Sequence, residues 1–172
     1  MEWQKLICDI YERISQVTEK ALDGLDIGDL NEQPNPECNS MGWLTWHLTR
    51  VQDLAISGLT GEEQIWIKNK WYKIYNRPDD PRDFGLRHSP EDLAAFISPD
   101  VKIHMAYHHL VLEQTKRYIS NLSESDLDKK IDHPVYPTVG AYVVGIISDN
   151  LQHVGQIAYV RGLLKGKGWL EL

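Results

Sequence analysis

Trp3, Ile7, Ile10, Ile14, Val17 and Ala21 recur at alternating steps of three and four, the spacing that lines one face of a helix, so the chain opens on a long amphipathic helix. Gly24, Gly28 and the polar, proline-bearing stretch 31–39 cannot extend that period and predict a loop. Ser40 is placed to cap a second helix whose inward stripe reads Trp43, His47, Val51, Leu54 and Leu59, with Gly58 and Gly61 near its end. Between 60 and 100 the pattern breaks up. Trp66, Ile67, Trp71, Tyr72 and Tyr75 read as buried, yet Pro78, Pro81 and Gly85 interrupt any long element, which predicts a long crossover carrying short helices. One of these is Ser89-Pro90-Glu91-Asp92, with a capping serine, a first-turn proline and an acid three places on.

Asp100 opens a third long helix with a seam of Val101, Met105, His108, Leu112, Thr115, Ile119 and Leu122. His133-Pro134-Val135-Tyr136-Pro137 predicts an extended connection, because each proline disfavours helix in its predecessor. Thr138 then caps a fourth helix, ended by Gly166 and Gly168. Its apolar positions from Val143 through Leu151 and Ile157 to Leu164 cover more than half its circumference, as in a centrally packed helix. Four long helical segments without strand-like alternation or internal repeat predict an all-α fold, a four-helix bundle with a long crossover between helices two and three, as one domain over 1–172.

Composition narrows the partners. Eighteen basic against 25 acidic side chains give a net charge of −7, and the pI of about 5.4 offers no general attraction for phosphate backbones, which argues against nucleic acid. No apolar run approaches the roughly 20 residues of a membrane span, and the first residues lack a signal-peptide pattern, so a cytoplasmic protein is expected. Cys8 and Cys38 are expected as free thiols.

The chemistry lies in polar residues on inward faces. Asp149 and His153 are four apart, so on a helix they rise only about 6 Å and project from the same side. A divalent metal takes ligands from several directions; one helix can supply two and a neighbour the third, for which His47 is the leading candidate. A two-histidine, one-carboxylate set suits zinc, iron or nickel. The bland alternative is that each histidine is a hydrogen-bonded core residue and that Asp149 pairs with Arg50 or Arg161. His108 reads either as a residue that orients a ligand, or a fourth ligand, or as a satisfied bundle histidine. His104 and His109 fall off the third-helix seam and are expected in solvent, while His88 and His133 sit in loops. Gln156, one turn beyond His153, reads as an interhelical hydrogen-bonding residue, with orientation of a ligand as the other role. Arg50 and Arg161 read as structural ion pairs or as holders of an acidic substrate group. No serine has a nucleophile-elbow setting and no glycine-rich phosphate loop occurs.

Two stretches carry a resemblance. Asn39-Ser40-Met41-Gly42-Trp43-Leu44-Thr45-Trp46-His47-Leu48-Thr49-Arg50-Val51-Gln52-Asp53 resembles the second-helix signature of the DinB-like superfamily, which includes mycothiol-dependent maleylpyruvate isomerase and bacillithiol transferases. The stretch from Asp149-Asn150-Leu151-Gln152-His153 to Leu164 resembles its last-helix signature. The resemblance implies a four-helix bundle, often a homodimer, that holds a divalent metal by three side chains near one end. His47 matches the second-helix ligand and His153 the second histidine of the usual H-x-x-x-H pair, where Asp149 replaces the first. It further implies a small-molecule substrate and a low-molecular-weight thiol or water activated at the metal, hence a thiol S-transferase or an amide or ester hydrolase. A non-catalytic, stress-associated metal-binding protein is the alternative from another class, and a purely structural bundle without an ion is the third reading.

Overall fold

In the computed structural model, residues 2–166 and 168–169 are described; positions 1, 167 and 170–172 of the expected domain lie outside them. The elements in order are α1 (Trp3–Leu22), α2 (Ile27–Asn31), α3 (Met41–Thr60), α4 (Ile65–Lys68), α5 (Trp71–Ile74), α6 (Pro90–Ala95), α7 (Val101–Ser120), α8 (Glu124–Leu127) and α9 (Val139–Lys165). Among the described residues there is no strand; one isolated antiparallel bridge joins Lys130 to Thr138. Among the described residues no helix is long and apolar enough to cross a membrane.

The long helices α1, α3, α7 and α9 form the bundle. α1 and α3 each pack against both α7 and α9, so α1 lies diagonal to α3 and α7 to α9. Side-chain caps fix the starts: Ser40, Asp100 and Thr138 accept from the backbone N–H three residues on, satisfying donors that a helix leaves unpaired. The Ser89 and Asp92 box with Pro90 starts α6 as the sequence predicts. A box between Asp26 and Asp29 makes the short α2 where a plain loop was expected, and a third at Ser123 and Asp126 makes α8. Gly61 ends α3 in the left-handed conformation at φ 74°, returning its N–H to the Ser57 carbonyl.

Two apolar clusters fill the interior. One gathers Trp43, Trp46, Trp66, Trp71 and Phe96 between the start of α3 and the crossover. The other gathers Tyr11, Ile56, Leu112, Ile119 and Ile146 further along the bundle. The first cluster corrects the expected stripe on α3. Every residue from Met41 to Arg50 is buried, whereas Val51, Leu54 and Leu59 are only half-buried and Gln52, Ala55 and Ile56 face inward instead. The crossover lies over the outer side of the first half of α3, so that half has no solvent face. On α9 the correction runs the other way. Leu151 is 50% exposed and joins Val144, Tyr159 and Leu163 in solvent, because a bundle neighbour covers only part of each helix.

A buried polar knot ties the crossover down. Arg50 and Asp53, one turn apart on α3, are fully buried and pair at 3.5 Å. The guanidinium also donates to Gln64 Oε1 at 3.0 Å and to the carbonyls of Asp83 and Pro81 at 2.9 Å, and it lies 4.6 Å from the Trp66 ring centroid. Asp53 accepts the N–H groups of Ile65 and Trp66 at 3.0 and 2.8 Å and the Tyr107 hydroxyl at 2.6 Å. Burial raises the Asp53 carboxyl above its ordinary value, opposed by these donors and Arg50. A buried ion pair persists only when hydrogen bonds fill its remaining donor and acceptor sites, which this one does.

Candidate metal centre

His47 reaches the interior from α3, with Trp43 one turn earlier stacked flat on it, ring centroids 4.7 Å apart and planes 10° apart. Its Nδ1 meets the backbone carbonyl of Phe84, which accepts the ring N–H. That contact leaves the lone pair on Nε2. The Phe84 carbonyl is held in place by the knot above, since Arg50 grips the carbonyl of the residue before it, and by Arg77, which pairs with Asp83 at 2.9 Å.

From α9 come Asp149 and His153, on the same side as their spacing predicts. Asp149 Oδ1 lies 3.5 Å from His153 Nε2, and His153 Nδ1 donates to Gln156 Oε1 at 2.7 Å. The rings of His47 and His153 meet edge to face, centroids 4.6 Å apart and planes 85° apart. One ligand atom from each of His47, Asp149 and His153 lies within 4.8 Å of the others, a spacing that a single cation can bridge.

The electrostatics fit a cation. With both Nδ1 atoms committed as donors, both Nε2 lone pairs and a carboxylate converge, and such a grouping repels itself unless a proton or a metal lies between. Asp149 Oδ2 is buried without a hydrogen-bond partner, an acceptor whose burial is costly if nothing fills it. Burial, with His153 nearby, pushes His47 down to about 4, so it is neutral near pH 7. Burial also lowers His153, but hydrogen bonding and charge from Asp149, together with Gln156, outweigh this and raise it. Of the two histidines, His153 is therefore the one that binds a proton more readily. A hydrogen bond from the second ring nitrogen to a carbonyl or amide oxygen is the arrangement that orients metal-binding histidines.

The two pairings that offered Asp149 a bland role do not form. Arg50 is taken by Asp53, and Arg161 donates to the carbonyls of Ala21 and Asp23 at 3.0 and 2.8 Å. Gln156 bonds within α9, to His153, and not across helices as expected. His108 is fully inside the bundle: Thr49 Oγ1 donates to the Thr45 carbonyl at 2.9 Å and so accepts from His108 Nδ1 at 3.1 Å. The other nitrogen, Nε2, is buried without a partner, and burial lowers His108 to about 4. His108 is not one of the three grouped ligand residues.

His104, expected in solvent, is 1% exposed. Its Nε2 meets Ser98 Oγ at 2.7 Å and its Nδ1 the Tyr75 hydroxyl at 3.0 Å. Both partners belong to the crossover, which covers a helix face that periodicity alone assigns to water. His88 carries no sequence pattern, yet its Nδ1 accepts the Trp43 indole N–H at 3.0 Å and its ring lies against Trp46. It thereby holds the wall behind His47. Arg50 and Asp53, the two charged residues of α3, were the signal for the knot.

The model of the DinB superfamily matches residues 10–157. The chain belongs to the DinB superfamily. Among solved structures it is similar to one described as "Crystal structure of the conserved protein of locus from Enterococcus faecalis", with a TM-score of 0.87 and 27% sequence identity, covering 97% of this chain and 99% of that one. No curated protein matches the chain. Membership agrees with the helical bundle and with a His-His-Asp group able to hold a metal.

Beside the triad a cavity of about 520 Å³ opens between the 34–39 loop, Leu44 of α3 and the exposed side of α9. Gln156 belongs to both places: it lines the cavity and accepts the His153 N–H. Cys38 lines it as well; it and Cys8 are free, partly exposed thiols.

Proposed function

We propose that this DinB superfamily member is a metal-dependent enzyme that transfers a low-molecular-weight thiol to an electrophilic small molecule, with His47, Asp149 and His153 as the ligands of a divalent zinc, nickel or iron ion. The observation that carries the reading is the convergence of three ligand atoms whose imidazoles both commit their Nδ1 protons elsewhere. A divalent cation held there stabilises thiolate over thiol, or hydroxide over water, near neutral pH.

The protein's own groups supply the rest. The Phe84 carbonyl and the Gln156 amide keep both Nε2 atoms aimed inward. Trp43 covers one face of His47 and excludes water from it. In the transfer a carbon–sulfur bond forms as the bond to the leaving group breaks. The leaving group departs with the electron pair, and the thiol proton passes to solvent. The two free thiols accord with a reducing, cytoplasmic setting.

The test begins with metal analysis of protein purified without an affinity tag. About one equivalent of metal in the parent, lost in His47→Ala with retained helicity, supports the centre; unchanged metal content in that variant refutes it. Thiol consumption that needs both metal and an added electrophile supports transfer. Turnover without thiol replaces it with hydrolysis, and loaded protein inert in both assays replaces it with metal binding alone.

A further inference from the structure

The cavity beside the triad has a one-sided character. Its lining includes apolar Leu44, Tyr159, Val160 and Leu163 together with the neutral amides of Asn39, Gln152 and Gln156. Glu37 is the single charged residue among those lining it. Tyr159 and Leu163 stand 69% and 56% exposed and together border this concave space. The volume falls within the range of roughly 300–1,000 Å³ that small-molecule sites occupy.

Register along α9 ties the cavity to the chemistry. Gln156 is one turn past His153, and Tyr159, Val160 and Leu163 continue for two further turns, each about 5.4 Å. A ligand whose apolar body lies against those residues brings its other end to Gln156. With Oε1 engaged by the imidazole, Nε2 is the group Gln156 offers to a ligand carbonyl.

We infer that this cavity seats the apolar body of an uncharged electrophilic substrate, with its carbonyl end at Gln156, and disfavours anions. The inference deepens the thiol-transfer reading and rests on it. Among the described residues no cation lines the cavity to balance an acidic group, and Glu37 repels one.

Two fluorescent probes share one aromatic body and differ in charge: N-phenyl-1-naphthylamine is neutral and 8-anilino-1-naphthalenesulfonate is anionic. Titration of the full chain, with zinc and with chelator, is expected to give one neutral-probe site favoured roughly tenfold over the anionic probe. Glu37→Lys should erase most of that preference, and Leu163→Glu, at an exposed position, should weaken the neutral probe at least fivefold. In a Cys8→Ser background, bound neutral probe should slow alkylation of Cys38 by N-ethylmaleimide. Equal affinity for both probes, binding indifferent to Leu163→Glu, unprotected Cys38, or a dimer whose second copy covers Tyr159 and Leu163 would each overturn the inference. His47→Ala separates the two claims: loss of metal with probe binding intact leaves the cavity standing, whereas a parent protein that binds metal but not the neutral probe removes the cavity and leaves the centre.

Discussion

Replacing His108 by leucine should make the protein's relative stability reverse with pH. In the folded state His108 is neutral, because its Nε2 has no partner and burial lowers it to about 4 from an ordinary 6.5. A histidine lowered on folding binds its proton more readily in the unfolded chain. Its contribution is therefore intact above about pH 6.5 and is lost as pH falls toward 4. At pH 5 the loss is about 2 kcal/mol and at pH 7 it is close to zero. Leucine nearly conserves volume. It gives up the Thr49 bond, worth about 1 kcal/mol, and removes an unsatisfied buried nitrogen of comparable cost. The variant should thus lie within about 1 kcal/mol of the parent at pH 7 and gain about 2 kcal/mol on it at pH 5. Urea unfolding of both proteins at the two pH values, with chelator present so that metal release contributes to neither, measures the difference. A parent-to-variant gap that is the same at both pH values would refute the account of His108 as a buried neutral base.

Other expectations follow from the same geometry. Gln156→Leu removes the acceptor that aims His153 and should weaken zinc binding about 10- to 100-fold by competition titration, with thermal stability of the chelated protein little changed. Hydrogen bonding and charge from Asp149 raise His153 above its ordinary value, so protons compete with the metal for its ring and zinc affinity should fall as pH is lowered, which competition titration across a pH series checks. Arg50→Met leaves Asp53 as an uncompensated buried charge and frees the carbonyls of Pro81 and Asp83. It should cost about 3–5 kcal/mol in urea unfolding.

The bundle was legible because its signals are local. Ser40, Asp100 and Thr138 announce helix starts through chemistry completed within four residues, and Asp149 and His153 declare a shared side by spacing alone. His47 could be joined to them because both helices carry an inward stripe. The crossover's helix start at Ser89 and its buried Trp66, Trp71 and Tyr75 were legible too, but its polar contacts with the bundle escaped. His104 is off its helix seam and would be wet were Ser98 and Tyr75 not folded over it. Val51 and Leu54 looked inward because the stripe was extrapolated from a half of α3 that is covered on all sides. Pairings made by an irregular segment have no period, and Phe84 acts through its main chain, which side-chain chemistry does not encode.

That last contact shapes how the protein tolerates change. Because a peptide oxygen steadies His47, truncating the side chain at residue 84 removes the Phe84 ring, whose centroid lies 6.2 Å from that of His47, but leaves the hydrogen bond that aims the imidazole. Altering the course of the polypeptide around 81–85, or replacing the linkage after Phe84 by an ester whose carbonyl accepts more weakly, acts on that bond itself. The imidazole's alignment is thus inherited through the path of a loop, a path that Gly85 permits at a φ of 87°.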